Sequence, residues 1–261
     1  MTLTVKGRQY FIDGEQVPSV TTLIGDGLAK PGLEKWAAET TAAYAVDRWD
    51  ELAELPISQR LEILQNCRFG ERDAAAGKGT AIHKLAEKLI EGQEVDVPEA
   101  LRDHVDHCVA LIDRWNLQLV LVERPVFNRR WRYAGRPDLV ADLNDGRRLL
   151  IDWKTKKSAP WGDEAFQMSG YRYAEVFLDD ADQEQPMPNV DGCAIGWLRA
   201  DGADLIEIKA DESVFRQFLY IAWDAKAAHA AHRCHSKCPP ALRDENGGYV
   251  GDILEPKENV A

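Results

Sequence analysis

The sequence predicts an α/β protein, with a mixed central β-sheet flanked by helices and an N-terminal helical lobe. Three observations lead to this prediction. Helical patterns with a cap at Ser19 and a break at Pro31 fill residues 19–72. Strand-type runs separated by short turns fill residues 117–155. Helical and strand-type segments then alternate, so helices are available to cover both faces of a sheet.

The N-terminal part of the chain is predicted to contain a small hairpin followed by helices. An aspartate and a glycine between two strand-type runs are typical of a tight hairpin turn. Serine is a preferred helix cap, and proline interrupts helices. The predicted elements are a hairpin over residues 8–17 that turns at Asp13-Gly14, a helix after Ser19, a helix from Leu33 towards Trp49, and a helical stretch over residues 50–72 with a break at Pro56 and a cap at Ser58.

The remaining elements alternate between helix and strand. Glycine or asparagine just after a helical run marks the end of that helix. The predicted elements are a helix entered at Gly77 and ended at Gly92, a helix over residues 96–115 ended by Asn116, a strand over residues 117–123, a hairpin within residues 135–155, a helix from Trp161 through Leu178, two strands over residues 191–197 and 205–209, and a helix over residues 214–231 capped by Ser213.

The hairpin within residues 135–155 is the stretch around which the chain is organised. Residues 144–146, Asn-Asp-Gly, form a three-residue loop whose glycine can take the left-handed conformation. With Asp145 at its centre, antiparallel pairing sets Asp138 directly opposite Asp152. The same register separates two faces, an apolar one with Pro137, Leu139, Ala141, Leu143, Leu149, Ile151 and Trp153, and a polar one with Arg136, Asp138, Asp142, Asp152 and Lys154.

Two opposed carboxylates are unfavourable unless something offsets their charge. Directly opposed residues have Cβ atoms about 4.5–5.5 Å apart, where like charges are destabilising. A bound cation or a raised pKa of one carboxyl relieves the repulsion, and magnesium or manganese prefer oxygen ligands of this kind. Lys154 projects from the same face as Asp152 and can orient or activate a water there. The alternative is an ordinary hairpin with an exposed polar face held by ion pairs.

At these residues the chain resembles a nuclease superfamily. Pro137-Asp138, a spacer and then Asp152-Trp153-Lys154 resemble the signature of the PD-(D/E)XK nucleases. Residues 79–83 upstream and 167–171 downstream stand in the order found in the RecB-like branch. That branch includes phage exonucleases, helicase-linked nucleases and CRISPR adaptation nucleases. Two N-terminal segments also resemble phage-type members, residues 18–22 and 30–36.

The resemblance implies a restriction-endonuclease-like core and a metal-dependent deoxyribonuclease. The activity implied is exonucleolytic hydrolysis of phosphodiester bonds in DNA recombination, repair or phage replication. The implied roles are Asp138, Asp152 and Lys154 as catalytic groups, His83, Asp138, Asp152 and the Trp153 backbone carbonyl as ligands of magnesium or manganese, Gln167 and Tyr171 as DNA contacts, and Glu87 and Glu123 as supports of the metal ligands.

A basic segment surrounds the hairpin, although the chain has a net charge of −12. Between residues 123 and 157, ten Lys and Arg stand against five Asp and Glu. Trp131 and Tyr133 interleave with these basic residues. Such a pattern suits a groove that follows phosphates and stacks bases, with Arg136 and Lys156 as further DNA contacts. The alternative is a solvated strand face whose aromatic side chains turn into the core.

The domain prediction is a single nuclease domain over residues 1–238. Residues 1–76 form its hairpin and helical lobe, residues 77–238 its core, and residues 239–261 a loose polar tail. The chain shows no apolar run of about 20 residues and no signal-peptide pattern. Five cysteines, an odd number, do not suggest a secreted disulfide framework. We therefore expect a cytoplasmic protein of a bacterial or phage-infected cell, without a membrane partner.

Other cofactors are not expected. The Gly-Lys-Gly-Thr at residues 77–80 lacks the spacing of a phosphate-binding P-loop, so ATP is not predicted. An iron–sulfur cluster requires four converging thiolates or close substitutes, and the C-terminal group offers only Cys234 and Cys238. The alternative of a structural zinc site there draws on His229, His232, Cys234, His235 and Cys238.

The predicted partner is linear DNA, single- or double-stranded, with a recombinase or single-strand annealing protein as a further candidate. Two other functions remain open at this point. One is an endonuclease or CRISPR-adaptation-type nuclease, which would also cut circular DNA. The other is a noncatalytic DNA-end-binding subunit with the same fold. The complete set of His83, Asp138, Asp152 and Lys154 disfavours the noncatalytic alternative.

Overall fold

The computed structural model describes residues 2–90, 92–93, 95–156 and 162–237, without the side chains of residues 71–76, 87, 90 and 228–237. The hypotheses on the tail and on Cys238 lie outside the described residues, and those on Glu87, His229, His232, Cys234 and His235 concern side chains that are not described. Within the described ranges, no helix has both the length and the apolar character needed to cross a bilayer.

Strands and helices follow one another in runs along the described chain. The helices are α1 (Val20–Gly27), α2 (Pro31–Asp47), α3 (Trp49–Ala53), α4 (Ile57–Ile90), α5 (Arg102–Trp115, after a 3₁₀ turn at Glu99–Leu101), α6 (Gly162–Arg172) and α7 (Glu212–Lys237). The strands are β1 (Leu3–Lys6), β2 (Gln9–Ile12), β3 (Glu15–Val17), β4 (Gln118–Val122), β5 (Val126–Asn128), β6 (Tyr133–Gly135), β7 (Leu139–Asp142), β8 (Arg148–Lys154), β9 (Val176–Leu178), β10 (Glu184–Pro186), β11 (Gly192–Arg199) and β12 (Gly202–Ile208).

A five-stranded mixed sheet, in the order β12-β11-β8-β7-β4, lies at the centre of the fold. It is mixed because β8 pairs in parallel with β11, whereas its other neighbouring strands are antiparallel. One face, including Val140 and Leu150, packs with side chains of α1, α6 and α7. The opposite face, including Leu139 and Ile151, packs with α4 and α5. The predicted α/β fold with a mixed sheet flanked by helices is confirmed.

The hairpin that carries the candidate carboxylates has the predicted register. Leu139 pairs with Ile151, so continuing the antiparallel ladder by one residue sets Asp138 opposite Asp152. Gly146 has a φ of +85°, the left-handed conformation expected for the loop glycine. The loop residue and the two-residue periodicity of a strand are therefore sufficient to define this pairing.

The helix that carries His83 is longer than predicted. The sequence predicts a helix entered at Gly77, but the backbone is helical without a break over Ile57–Ile90. The predicted boundary between lobe and core after residue 76 therefore falls inside a helix. A glycine in a helix costs about 1 kcal/mol relative to alanine, which tertiary packing can offset. At Gly79 an added Cβ would lie 3.1 Å from Thr155 Oγ1, so this glycine permits a close approach to the residue after β8.

Other element boundaries also differ from the prediction. Residues 176–178, predicted to continue a helix, form β9, because Val, Phe and Leu there pair with β5 and β10 instead. The helix predicted from residue 96 begins at Arg102. A second, four-stranded sheet in the order β10-β9-β5-β6, and the strand β1 beside the N-terminal hairpin, were not predicted. These short strands depend on partners that are distant in the sequence.

The cap of α7 is Asp211, not the predicted Ser213, because the Asp211 carboxylate reaches the free N–H groups of the first turn. Asp211 Oδ1 accepts hydrogen bonds from the backbone N–H of Ser213 at 2.9 Å and of Val214 at 3.2 Å. A hydrogen bond from the Ser213 hydroxyl, followed by that from Val214, lowers the pKa of Asp211 to about 2. The ionised carboxylate therefore stabilises the folded state above the ordinary aspartate pKa of about 4. This stabilisation is lost as the pH falls through the folded-state value.

We expect Asp211→Ala to lower the Tm at neutral pH because it removes this cap. The difference in Tm from the wild type should shrink as the pH is lowered from about 6 to about 3, because protonation removes the same contribution from the wild type. Thermal denaturation followed by circular dichroism measures both effects. Asp211→Asn, whose side chain can still cap, is the matched control. A Tm difference that does not change with pH would contradict the assignment.

Candidate active site

The residues predicted to form the site come together around the end of β8. α4 and α6 pack on opposite faces of the central sheet, so each can reach the last residues of this strand. The contributing residues are His83 on α4, Asp138 directly before β7, Asp152, Trp153 and Lys154 on β8, and Gln167 and Tyr171 on α6.

Asp138 is held by backbone and imidazole groups. Its Oδ2 accepts a hydrogen bond from the Trp153 backbone N–H at 2.7 Å. The same oxygen lies 3.5 Å from His83 Nδ1. Two of the predicted metal ligands, His83 and Asp138, therefore lie side by side. The Trp153 contact with Asp138 is made by the backbone N–H and not by the carbonyl that is predicted to bind the metal.

Asp152 is a buried carboxylate, with 3% of its surface exposed. Its Oδ1 accepts a hydrogen bond from Gln167 Nε2 at 2.8 Å. Its Oδ2 forms an ion pair with the Lys154 ammonium, but accepts no hydrogen bond of ordinary geometry from the described residues. At the centre of the site the polar face is therefore ion-paired, as the alternative expects, but it is buried and not exposed. The alternative applies to the outer end of the hairpin, where Arg148 pairs with Asp142.

Gln167 connects the groups around Asp152. Its amide nitrogen donates to Asp152 and lies 3.5 Å from the Tyr171 hydroxyl. Its amide oxygen accepts from Lys154 Nζ at 3.4 Å. Both ends of the amide are thus used, and the side chain orients Asp152 and Lys154 relative to each other.

Burial and nearby charges shift the pKa values of three groups in the site, Asp138, Lys154 and His83. Burial, followed by the charge of Asp152, raises the pKa of Asp138 well above its ordinary value. Burial alone would lower the pKa of Lys154, but the charges of Asp152 and Asp138 and a hydrogen bond to Asp152 raise it above the ordinary lysine value. Burial lowers the pKa of His83, which favours the neutral imidazole that can act as a metal ligand.

The donor chemistry fits magnesium or manganese. Two carboxylates and a neutral imidazole are ligands that these ions accept, and Asp152 Oδ2 is a buried oxygen that lacks an ordinary hydrogen bond. As they are placed, no three His, Cys, Asp or Glu side chains of the described residues form a group that could hold a metal ion. Lys154 lies against Asp152 instead. A cation at Asp152 would therefore compete with the Lys154 ammonium.

Tyr171 lies inside the protein rather than on a DNA-binding surface. It is 4% exposed, and an added Cβ at Gly135 would lie 2.4 Å from its Cε1 atom. Burial raises the pKa of Tyr171 well above its ordinary value, so its hydroxyl stays neutral. Its hydroxyl lies 3.5 Å from Gln167 Nε2 inside the protein. Its ring is buried and is not available for stacking on a base.

The predicted groove of basic and aromatic residues does not form as a unit. Tyr133 is fully buried and donates a hydrogen bond from its hydroxyl to the Gly170 carbonyl at 2.9 Å. Trp131 is half-buried against the same core. The alternative, in which the aromatic side chains turn inwards, is therefore correct. Ion pairs with acidic residues engage many of the basic side chains, among them Arg124, Arg129, Arg132, Arg147 and Arg148.

Lys156 and Arg136, both predicted to contact DNA, have different surroundings. Lys156 forms an ion pair with the buried carboxylate of Glu164. Arg136 is exposed and lines a cleft beside the site. Arg136 is therefore the better placed of the two to meet a phosphate.

A polar cleft of about 590 Å³ opens next to His83. Sequence analysis missed two of its cationic residues, Arg8 and Lys84. Lys84 could have been predicted to lie near the site, because it directly follows His83 on a helix. Nothing in the sequence relates Arg8 to the site. The cleft is lined by Arg8, Lys84, Arg124 and Arg136 together with Thr80, His83, Val122, Glu123 and Asp180.

Glu123 lies close to the carboxylate pair. Its backbone N–H donates to the Asp138 carbonyl oxygen at 3.0 Å, and its φ is +47°. Its charge is among the causes that raise the pKa of Asp138. Glu123 is thus next to a predicted metal ligand through its backbone, and the supporting role of its side chain stays a prediction.

The comparisons with known proteins add little to this site. No protein-family model and no curated protein sequence matches the chain. Among solved structures, one described as "Crystal structure of SSO0001" is similar at 15% sequence identity. The similarity covers 84% of this chain and 79% of that chain, with a TM-score of 0.35. A similarity at this level carries no argument about function.

Proposed function

We propose that the protein is a metal-dependent deoxyribonuclease of the PD-(D/E)XK superfamily, in its RecB-like branch, and that it acts as an exonuclease. The observation that carries the proposal is the position of Asp138 opposite Asp152, with Lys154 on the same strand face and His83 reaching Asp138 from α4. Holding two carboxylates together, one of them buried and the other largely buried, is costly, so a functional reason for the arrangement is favoured.

The proposed roles follow from the contacts. Asp138, Asp152, His83 and the Trp153 carbonyl would hold the metal ion. When bound, magnesium or manganese would withdraw charge from the scissile phosphate and make a water more acidic. Lys154, which pairs with Asp152, would orient the attacking water and stabilise charge that develops on the phosphate. Gln167 would orient the side chains of Asp152 and Lys154 relative to each other through its two hydrogen bonds.

The cleft beside His83 supports a nucleic-acid substrate. Arg8, Lys84 and Arg136 line it next to the proposed metal ligand. Cationic side chains beside a metal ligand can pair with the phosphates that flank the scissile bond. This local positive charge also explains how a chain with a net charge of −12 could bind DNA. We further propose that the protein acts in the cytoplasm of a bacterial or phage-infected cell, with a recombinase or annealing protein as partner.

The experiment that tests this function is incubation with end-labelled linear DNA and with covalently closed circular DNA. We expect cleavage with manganese or magnesium and none with EDTA. An exonuclease needs a free end, so linear DNA should shorten progressively while closed circles are spared. Comparable nicking of relaxed circles would favour the endonuclease alternative. DNA binding without cleavage in either metal would favour the noncatalytic end-binding alternative.

A further inference from the structure

The Lys156–Glu164 ion pair lies beside the proposed catalytic lysine. Glu164 is in the first turn of α6 and is 6% exposed. Its carboxylate contacts the Lys156 ammonium, whose side chain is 31% exposed. A buried carboxylate is costly unless it is paired, and a pair of this kind matters more than one on the surface.

Lys156 is held at both its backbone and its side chain. Its carbonyl oxygen accepts a hydrogen bond from Trp197 Nε1 at 2.8 Å, which ties the backbone to β11. Its ammonium is tied to α6 through Glu164. The residue therefore connects the end of β8 with two neighbouring elements, and its side chain has one defined direction.

Two lysines and two buried carboxylates lie together near the end of β8. Lys154 and Lys156 are two residues apart, and both ammonium groups contact α6, Lys154 at Gln167 and Lys156 at Glu164. In the structure Lys154 pairs with Asp152 and Lys156 pairs with Glu164. The charge of Glu164 also acts on Lys154. Glu164 thus divides the two ammonium groups between two carboxylates.

We propose that Glu164 is a positioning residue, which retains the Lys156 ammonium at α6 and leaves Lys154 as the cation that pairs with Asp152. The effect on reaction rate rests on the proposed nuclease function, whereas the placement of the two lysines does not. Glu164 also lies one helical turn before Gln167, which contacts both Asp152 and Lys154. Loss of the ion pair would therefore release Lys156 and would also disturb the turn of α6 that carries Gln167.

The first test does not depend on activity. Amine-selective labelling followed by mass spectrometry measures how readily Lys154 and Lys156 react in the folded protein. In Glu164→Gln we expect both to be labelled several-fold faster, because Lys156 is released and competes with Lys154 for Asp152. Glu207→Gln, which removes an exposed partner of Arg147 on β12, is the matched control and should label as wild type. Unchanged labelling in Glu164→Gln would overturn the proposal, whether or not the wild type cleaves DNA.

The second test measures rate and its rescue. Glu164→Gln should lower kcat for linear DNA by about 10-fold with little change in KM, because the groups in the site are misplaced rather than lost. The double variant Lys156→Met/Glu164→Gln removes the competing ammonium and should regain most of that loss. A double variant as slow as the single one would overturn the proposal, since Glu164 would then act only by supporting α6. If Glu164→Gln folds poorly, the recovery in the double variant is measured as a rise in Tm relative to Glu164→Gln.

A wild type that labels as expected but cleaves no DNA would contradict the nuclease function and leave the positioning of the lysines supported.

Discussion

Asp152→Asn is expected to abolish DNA cleavage in a protein that remains folded. The asparagine keeps the shape of Asp152 and an oxygen that can accept the hydrogen bond from Gln167. It removes the charge that pairs with Lys154 and that would hold the metal ion. A loss of about 4 kcal/mol of transition-state stabilisation corresponds to about 10³-fold in rate. The measurement is single-turnover cleavage of end-labelled linear DNA with manganese.

Lys154→Met should reduce the same rate for a different reason. Methionine keeps the length of the side chain but removes the ammonium that stabilises developing charge, which is worth about 10²–10³-fold. Manganese affinity, measured by calorimetry, separates the two variants. Asp152→Asn should weaken manganese binding, and Lys154→Met should preserve or strengthen it, because the competing ammonium is gone.

Asp142→Asn is the matched control for both substitutions. Asp142 belongs to the same hairpin but pairs with Arg148 at its outer end, away from the site. Its removal should leave cleavage and manganese affinity unchanged. Full nuclease activity of purified Asp152→Asn or Lys154→Met would show that the active site is elsewhere. Loss of cleavage in Asp142→Asn would show that the hairpin tolerates no change of charge, so that the other losses are not specific.

Gly196→Ala is expected to produce the largest loss of stability among the substitutions considered. Gly196 on β11 lies beside Trp153 on β8, and an added Cβ would be 2.1 Å from Cε3 of the indole ring. The indole is 3% exposed and packed within the core, so it has little room to move. Overpacking of this kind costs about 1–3 kcal/mol, and a rigid indole ring places this position at the upper end. Because the Trp153 N–H donates to Asp138, activity should fall with stability.

Urea denaturation followed by tryptophan fluorescence measures this loss as a lower midpoint. Gly202→Ala is the matched control, since it lies at the start of the neighbouring strand β12, where an added Cβ would meet only an Arg199 nitrogen at 3.4 Å. That contact is ordinary, so we expect a change within about 0.5 kcal/mol. A Gly196→Ala variant as stable as the wild type would mean that β8 and β11 are packed less closely than the structure shows.

The N-terminal hairpin and the first helix show which features of the fold could be predicted locally. Asp13 and Gly14 have φ values of +53° and +78°, as a tight turn between β2 and β3 requires. Ser19 Oγ accepts the Thr22 N–H at 3.0 Å, which is the predicted cap of α1. The turn and the cap both depend on residues only a few positions apart, so a short stretch of sequence is sufficient to predict them.

Other elements could not be predicted because their partners are distant in the sequence. Residues 176–178 have the apolar character of a helix continuation, but they become a strand because β5 offers them a hydrogen-bonding edge. Likewise, Arg132 appears in the sequence as a free basic residue, and the fold pairs it with Glu15 of the N-terminal sheet. Periodicity and composition are local properties, so they do not predict contacts between residues that are distant in the sequence.

The sequence by itself determined the opposition of Asp138 and Asp152, since a three-residue loop and the two-residue period of a strand define the register of a hairpin. Only the tertiary structure decided what surrounds that pair. It brought His83 to Asp138 and buried Asp152 against Lys154. It also diverted Lys156 to Glu164. The physical reason is that charges interact through space, and the chain distance between their carriers does not predict which carboxylate a given ammonium will meet.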